Sequence, residues 1–220
     1  IVFPLLDSYG NVLGFNKRLI DAKTKGVKQK YIHSSNSDVF EKSKYIYGLN
    51  HIDKNADYII LTEGVFDVIL PQQFGVKNTI CALGTTLSDY QIDLLARYNK
   101  LLIIAYDCDE KGQKTLKKII PQLQEAGINT KVLPLPEEKD LADLSLQLKD
   151  NLLDYIMNNA ITYAYYQAKE IINDYNKELF ELNYKYVKLM KSIDYDINDK
   201  EFIETYIQSI MKPVIGGGKY

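Results

Sequence analysis

Two short stretches place acids where strands should end. Glu63 follows Ile59-Ile60-Leu61-Thr62, and Asp107 and Asp109 follow Leu101-Leu102-Ile103-Ile104-Ala105-Tyr106. Apolar runs of this kind read as strands buried on both faces, so their acids emerge only at the strand ends. An open parallel sheet gathers those ends into one crevice, where converging carboxylates seat divalent cations. Asp67 stands one turn beyond Glu63, and Asp140 and Asp143 follow a last candidate strand. Acids at three strand ends repel one another unless cations neutralise them. The candidate ligands are hard oxygens without a nearby His or Cys pair, which points to Mg2+ or Mn2+. Taken singly, each acid also has a structural reading: Asp107 and Asp109 cap the next helix, and Asp140 and Asp143 terminate a loop.

The elements that must position these residues follow from periodicity and punctuation. Residues 1–6 and 12–15 read as a hairpin around the turn-forming Asp7-Ser8-Tyr9-Gly10-Asn11. From residue 57 the rhythm alternates, with strands at 59–62, 79–82, 101–106 and 130–135 and helices at 65–74, 88–98 and 111–126. Ser88 stands three residues before Gln91 as a capping box, and Gly75 and Gly127 sit where left-handed helix ends belong. Strand alternating with helix at this spacing implies right-handed crossovers and a parallel sheet, an α/β fold. After residue 150 apolar residues recur at helical spacing, and a small Tyr-rich helical bundle is expected over 151–220. The organisation is then a basic β-rich segment at 1–56, a catalytic α/β domain at 57–150 and a helical tail at 151–220.

Composition narrows the setting. The net charge of −2 conceals an N-terminal basic excess, because Lys17, Arg18, Lys23, Lys25, Lys28 and Lys30 meet only Asp21 between positions 17 and 30. Such a patch suits phosphates, and a solvated loop is its plain alternative. Cys81 and Cys108 show no ligand spacing, which argues against a disulfide framework or a zinc site and for a reducing, cytoplasmic setting. No apolar run reaches bilayer-spanning length and no signal peptide opens the chain, so no membrane partner is expected. The start at Ile1, already strand-like, suggests a piece of a longer protein. Asp194-Tyr195-Asp196 lacks the glycine and glutamate of a calcium loop, and Gly216-Gly217-Gly218-Lys219 lacks the first glycine and the Ser/Thr of a phosphate loop.

Glu63-Gly64 with Asp67, then Asp107-x-Asp109 with Gly112, resembles the Toprim domain shared by bacterial DnaG-type primases, topoisomerases of types IA and II, and several small nucleases. The flanks resemble the segment preceding Toprim in the primases: Phe3-Pro4, Gly10-Asn11-Val12-Leu13-Gly14-Phe15 with Arg18, Lys30-Tyr31, Phe40-x-Lys42 and Tyr47-Gly48-Leu49. Leu83-Gly84-Thr85 is similar as well, and the likeness covers roughly residues 1–150. It implies a Toprim-type open parallel sheet and metal-dependent synthesis of RNA primers on single-stranded DNA from ribonucleoside triphosphates, beside a replicative helicase. By that resemblance Glu63 acts as general acid/base or assists metal binding, and Asp67, Asp107, Asp109 and Asp140 hold metal ions. Arg18, Lys30 and Lys42 match basic positions that line the groove for template and nucleotide phosphates. Cys108 stands where these primases usually carry glycine, and Asp140-Leu141-Ala142-Asp143 replaces the common Asp-Pro-Asp, which makes Asp143 the looser match. A Toprim nuclease or topoisomerase fragment would use the same acids for cleavage, and a noncatalytic nucleic-acid or replisome-binding module would not require them.

Overall fold

The computed structural model describes residues 1–20, 31–84, 86–107, 109–136 and 139–173, which fall into two compact units, Ile1–Asn159 and Ala160–Tyr220. The first unit opens with an antiparallel sheet of β1 (Val2–Leu6), β2 (Val12–Arg18) and β3 (Tyr31–His33), in the order β1-β2-β3. Asp7 builds the hairpin turn by accepting the backbone N–H groups of Tyr9 and Asn11 at 2.8 and 2.9 Å. β2 continues to Arg18, beyond the expected end at residue 15, because β3 supplies it with a second partner. β3 itself was not legible as a strand: its three residues are too few to display a period.

The second sheet holds β4 (Tyr58–Thr62), β5 (Thr79–Cys81), β6 (Leu101–Ala105) and β7 (Thr130–Val132), all parallel, in the order β5-β4-β6-β7. Between them run α1 (Phe66–Gln73), α2 (Asp89–Ala96) and α3 (Glu110–Glu125). Ile59, Ile60, Leu61, Leu102, Ile103 and Ile104 are buried, as β-branched and leucine runs in a sheet covered on both faces should be. α3 contributes Leu116, Ile119, Ile120 and Leu123, one apolar stripe at helical spacing. Ser88 and Gln91 form the expected capping box of α2, and Gly75 and Gly127 adopt φ of 86° and 75°. β7 is shorter than expected, although Leu133 N–H still donates to Ile104 O at 2.9 Å.

Beyond β7 the chain forms α4 (Leu141–Leu148) and α5 (Leu152–Asn159). α4 occupies sequence read as loop; it packs on α1 with Leu141 and Leu144 buried. In the second unit α6 (Tyr163–Asn173) stacks Tyr163 on Tyr166 with ring centroids 6.4 Å apart. The rest of the expected bundle, the Asp194 segment and the glycine run at 216–218 lie outside the described residues. Among the described residues no helix is long and apolar enough to cross a membrane.

One apolar cluster joins the two sheets of the first unit. Phe3 and Leu5 from β1 pack with Phe40, Tyr45, Val65, Val68, Cys81 and Leu83. Phe3 meets Phe66 of α1 edge-on, with centroids 5.3 Å apart and planes at 88°. Tyr45 adds direction, because its hydroxyl accepts Leu6 N–H at 3.0 Å and donates to Leu6 O at 3.2 Å. Tyr45→Phe keeps the ring and loses both bonds. It is expected to lower stability by about 1 kcal/mol, read as a drop in the urea unfolding midpoint with unchanged slope.

Candidate functional site

The register of the parallel sheet sets the acids side by side. Thr62 at the end of β4 pairs with Ala105 at the end of β6, so Glu63 and Asp107 leave the sheet at one edge. The strand order reverses about β4, with β5 on one side and β6 on the other, which opens a crevice at the carboxyl ends. Glu63 is half-buried and its Oε1 is buried with no hydrogen-bond partner among the described residues. Burial first, then the charge of Asp107, raises its carboxyl above the usual range, while Lys111 pulls it down. Asp107 is raised by burial and then by Asp140 and Asp109, with Lys111 again opposing.

Asp67 plays a different part. It is 8% exposed, and both carboxylate oxygens accept backbone N–H groups: Gly64 donates to Oδ2 and Ala142 to Oδ1, each at 3.1 Å. Asp67 therefore fastens the Glu63-Gly64 turn to the first turn of α4. Burial and then the charge of Asp140 push its carboxyl up to about 7 despite those two bonds. Gly64 fits closely against that carboxylate, because a Cβ there would stand 2.9 Å from Asp67 Oδ2.

The remaining acids are helix caps. Asp109 starts α3 and accepts Gly112 N–H on Oδ1 at 2.6 Å. Asp140 starts α4 and accepts Asp143 N–H on Oδ1 at 2.8 Å, while Asp143 Oδ2 accepts Asp140 N–H at 3.5 Å. This is the structural reading of those acids, and it leaves one oxygen of Asp109 and one of Asp140 outside the cap bonds. Gly112 explains the spacing of its motif: a Cβ there would collide with the Asp107 carbonyl and come within 3.3 Å of Glu63 Oε1.

A cleft of about 370 Å³ lies over these groups. Glu63, Asp67, Asp107 and Asp140 line it, whereas Asp109 and Asp143 do not. Among the described residues, no three His, Cys, Asp or Glu side chains stand as a preformed metal cluster. The other wall comes from the antiparallel sheet: Asn16, Arg18, Tyr31 and His33. Arg18 is held over Phe66 at 4.6 Å and donates from Nη1 to Tyr31 Oη at 3.0 Å. Lys42 stays outside the lining beside Gly84 and His33, and its charge adds to burial in lowering the His33 pKa. Lys30, Thr85 and Cys108 lie outside the described residues.

Sequence reasoning missed Asn16 as a site residue and did not use Lys111 as a charge facing the acids. Strand alternation carried the first signal, since Asn16 and Arg18 are two apart and share a face.

Gly112→Ala is expected to cost about 1 to 3 kcal/mol, read by urea unfolding. A second expectation concerns pH in EDTA-containing buffer. A carboxyl raised to about 7 binds its proton more tightly in the folded chain than in the unfolded one. The Asp67 contribution therefore weakens stability as pH rises from about 4 toward 7. Asp67→Asn should flatten that part of a stability-against-pH curve, and an unchanged slope would contradict the assignment.

The comparisons agree with this geometry. Residues 1–53 match the family DNA primase catalytic core, N-terminal domain, and residues 60–145 match the Toprim-like family. The DNA primase of Clostridium acetobutylicum is 32% identical over 96% of this chain and 35% of its own length. The DNA primase of Legionella pneumophila is 39% identical over 64% of this chain and 25% of its own. The chain thus spans about a third or less of the curated relatives it matches. Among solved structures, the zinc-binding and RNA polymerase domains of the Aquifex aeolicus primase align with a TM-score of 0.68 and 28% identity, covering 96% of this chain and 51% of that one. A DNA primase domain from Pseudomonas aeruginosa aligns with a TM-score of 0.69 and 27% identity over 95% of this chain and 67% of that one. With two primase families matched in order along one fold, the chain belongs to the bacterial DnaG-type primases, as the Toprim-bearing part of their catalytic core.

Proposed function

We propose that this chain carries the primer-synthesising centre of a DNA primase: it joins ribonucleotides on a single-stranded DNA template by nucleotidyl transfer. The observation that carries the reading is the cleft itself, with carboxylates at the parallel strand ends facing a fixed Arg18 across it. In this reading residues 1–56 supply the basic wall, 57–150 the catalytic sheet and 151–220 the helical tail. A solved DnaG primase catalytic domain is bound to single-stranded DNA, and it shares the fold with a TM-score of 0.67. The match of residues 1–53 to the primase core favours synthesis over the cleavage that a Toprim nuclease or topoisomerase would perform with the same acids.

The donor set fits a divalent metal ion. Glu63 Oε1 is buried without a partner among the described residues, the Glu63 and Asp107 carboxyls are raised by burial and then by nearby acid charge, and the donors are hard oxygens. Glu63, Asp107, Asp109 and Asp140 would hold Mg2+ or Mn2+, and a bound ion would supply Lewis-acid activation and neutralise leaving-group charge. Asp67, with both oxygens engaged, sets the spacing between Glu63 and Asp140; Asp143 keeps Asp140 capped. Glu63, with its raised carboxyl, is placed to hold or release a proton at the attacking 3'-hydroxyl. Arg18, Lys42 and Lys30 orient template and triphosphate through their phosphates, giving salt-dependent affinity without reading base edges. A replicative helicase partner and a cytoplasmic setting belong to the same reading.

The test uses the full-length protein that contains this chain, with single-stranded template, ribonucleotides and Mg2+ or Mn2+. Asp107→Asn should reduce short RNA products by at least about a hundredfold while circular dichroism shows an unchanged fold. Template cleavage without synthesis, or undiminished synthesis by the variant, would overturn the reading.

A further inference from the structure

Two polar atoms on the wall opposite the acids have no assigned task. Asn16 is 1% exposed and its Oδ1 has no hydrogen-bond partner among the described residues. His33 Nδ1 is likewise buried and unpartnered. Native chains rarely leave such groups unpaired, because burial strips them of water without return. The two are neighbours by register: Asn16 pairs with His33 across β2 and β3, two residues along from the Arg18 and Tyr31 pair, and all four residues line the cleft.

The chemistry of these two atoms selects the ligand class. Amide Oδ1 only accepts hydrogen bonds, so it cannot serve a phosphate oxygen, which also accepts. Burial and the charge of Lys42 favour the neutral imidazole of His33, which can donate from one ring nitrogen. A hydroxyl does both at once, donating to Asn16 Oδ1 and accepting from His33. Arg18, two residues along β2, carries the donors that suit a phosphate.

We propose that Asn16 and His33 form a sugar-hydroxyl subsite that distinguishes ribonucleotides from deoxyribonucleotides through the 2'-hydroxyl. This rests on the nucleotidyl-transfer reading above. The 2'- and 3'-hydroxyls of ribose are cis and adjacent, so a sugar whose 3'-hydroxyl meets Glu63 and Asp107 keeps its 2'-hydroxyl inside the same cleft that Asn16 and His33 line. The 2'-hydroxyl is the group by which a protein tells the two sugars apart, and a site built to bond a hydroxyl discriminates strongly against its absence.

The experiment measures binding of ATP, 2'-deoxy-ATP and 3'-deoxy-ATP to the 220-residue chain with Mg2+, by competition with a fluorescent nucleotide analogue, beside primer synthesis by the full-length protein. The unaltered chain should bind 2'-deoxy-ATP about tenfold or more weakly than ATP, and 3'-deoxy-ATP nearly as well as ATP. Asn16→Leu should erase the preference while holding or raising the urea midpoint, since it removes a buried unpaired acceptor. His33→Phe gives an independent route, and it too should erase the preference. Equal binding of ATP and 2'-deoxy-ATP, a preference kept in both variants, or a lowered midpoint in Asn16→Leu would overturn the subsite. Equal binding with primers still made would sink only the subsite; no synthesis and no nucleotide binding would sink both readings.

Discussion

Crowding of negative charge at the open end of one parallel sheet is the constraint on which the rest of this structure depends. Register alone brings Glu63 beside Asp107, and α4 brings Asp140 to the same cleft. Burial raises the carboxyls of Glu63, Asp67 and Asp107, and the charge of nearby acids raises them further. The fold answers part of that repulsion internally. Asp67 is held by two backbone N–H groups, Asp109 and Asp140 by helix N-termini, and Lys111 opposes the charge on Glu63 and Asp107. What is left unanswered, above all Glu63 Oε1, is what a cation or a substrate proton can satisfy.

The second constraint is apolar. Arg18 lines the same cleft as the acids and has to be held there. The cluster around Phe3, Leu5, Phe40 and Val68 does this by packing the antiparallel sheet onto α1, and Tyr45 sets its orientation through Leu6. Phe66 belongs both to that packing and to the site, since one ring meets Phe3 at its edge and carries Arg18 over its face. Packing and the placement of Arg18 are therefore coupled through one helix residue.

Much of this was legible beforehand. The strands at β4 and β6 announced themselves as continuous apolar runs, α2 through its Ser88 and Gln91 box, and α3 through a stripe closed by Gly127. The acids could be found because each stands at a break in hydrophobic pattern. β3 and α4 were not, because three residues show no period and because Asp140 and Asp143 read as the end of a loop. The roles of the acids were less legible than their positions: one carboxylate looks like another until its hydrogen-bond partners are known.

The sequence by itself determined that strands and helices alternate, that acids end the strands and that basic residues precede them, because these depend on neighbours along the chain. Only the tertiary structure decided that Asp67 is a clamp rather than an open carboxylate, that Asp109 and Asp140 cap helices, and that Asn16 and His33 share the cleft with the acids and carry atoms unpaired among the described residues. Those properties rest on contacts between residues as far apart as Asp67 and Ala142, and on burial, which no local pattern encodes.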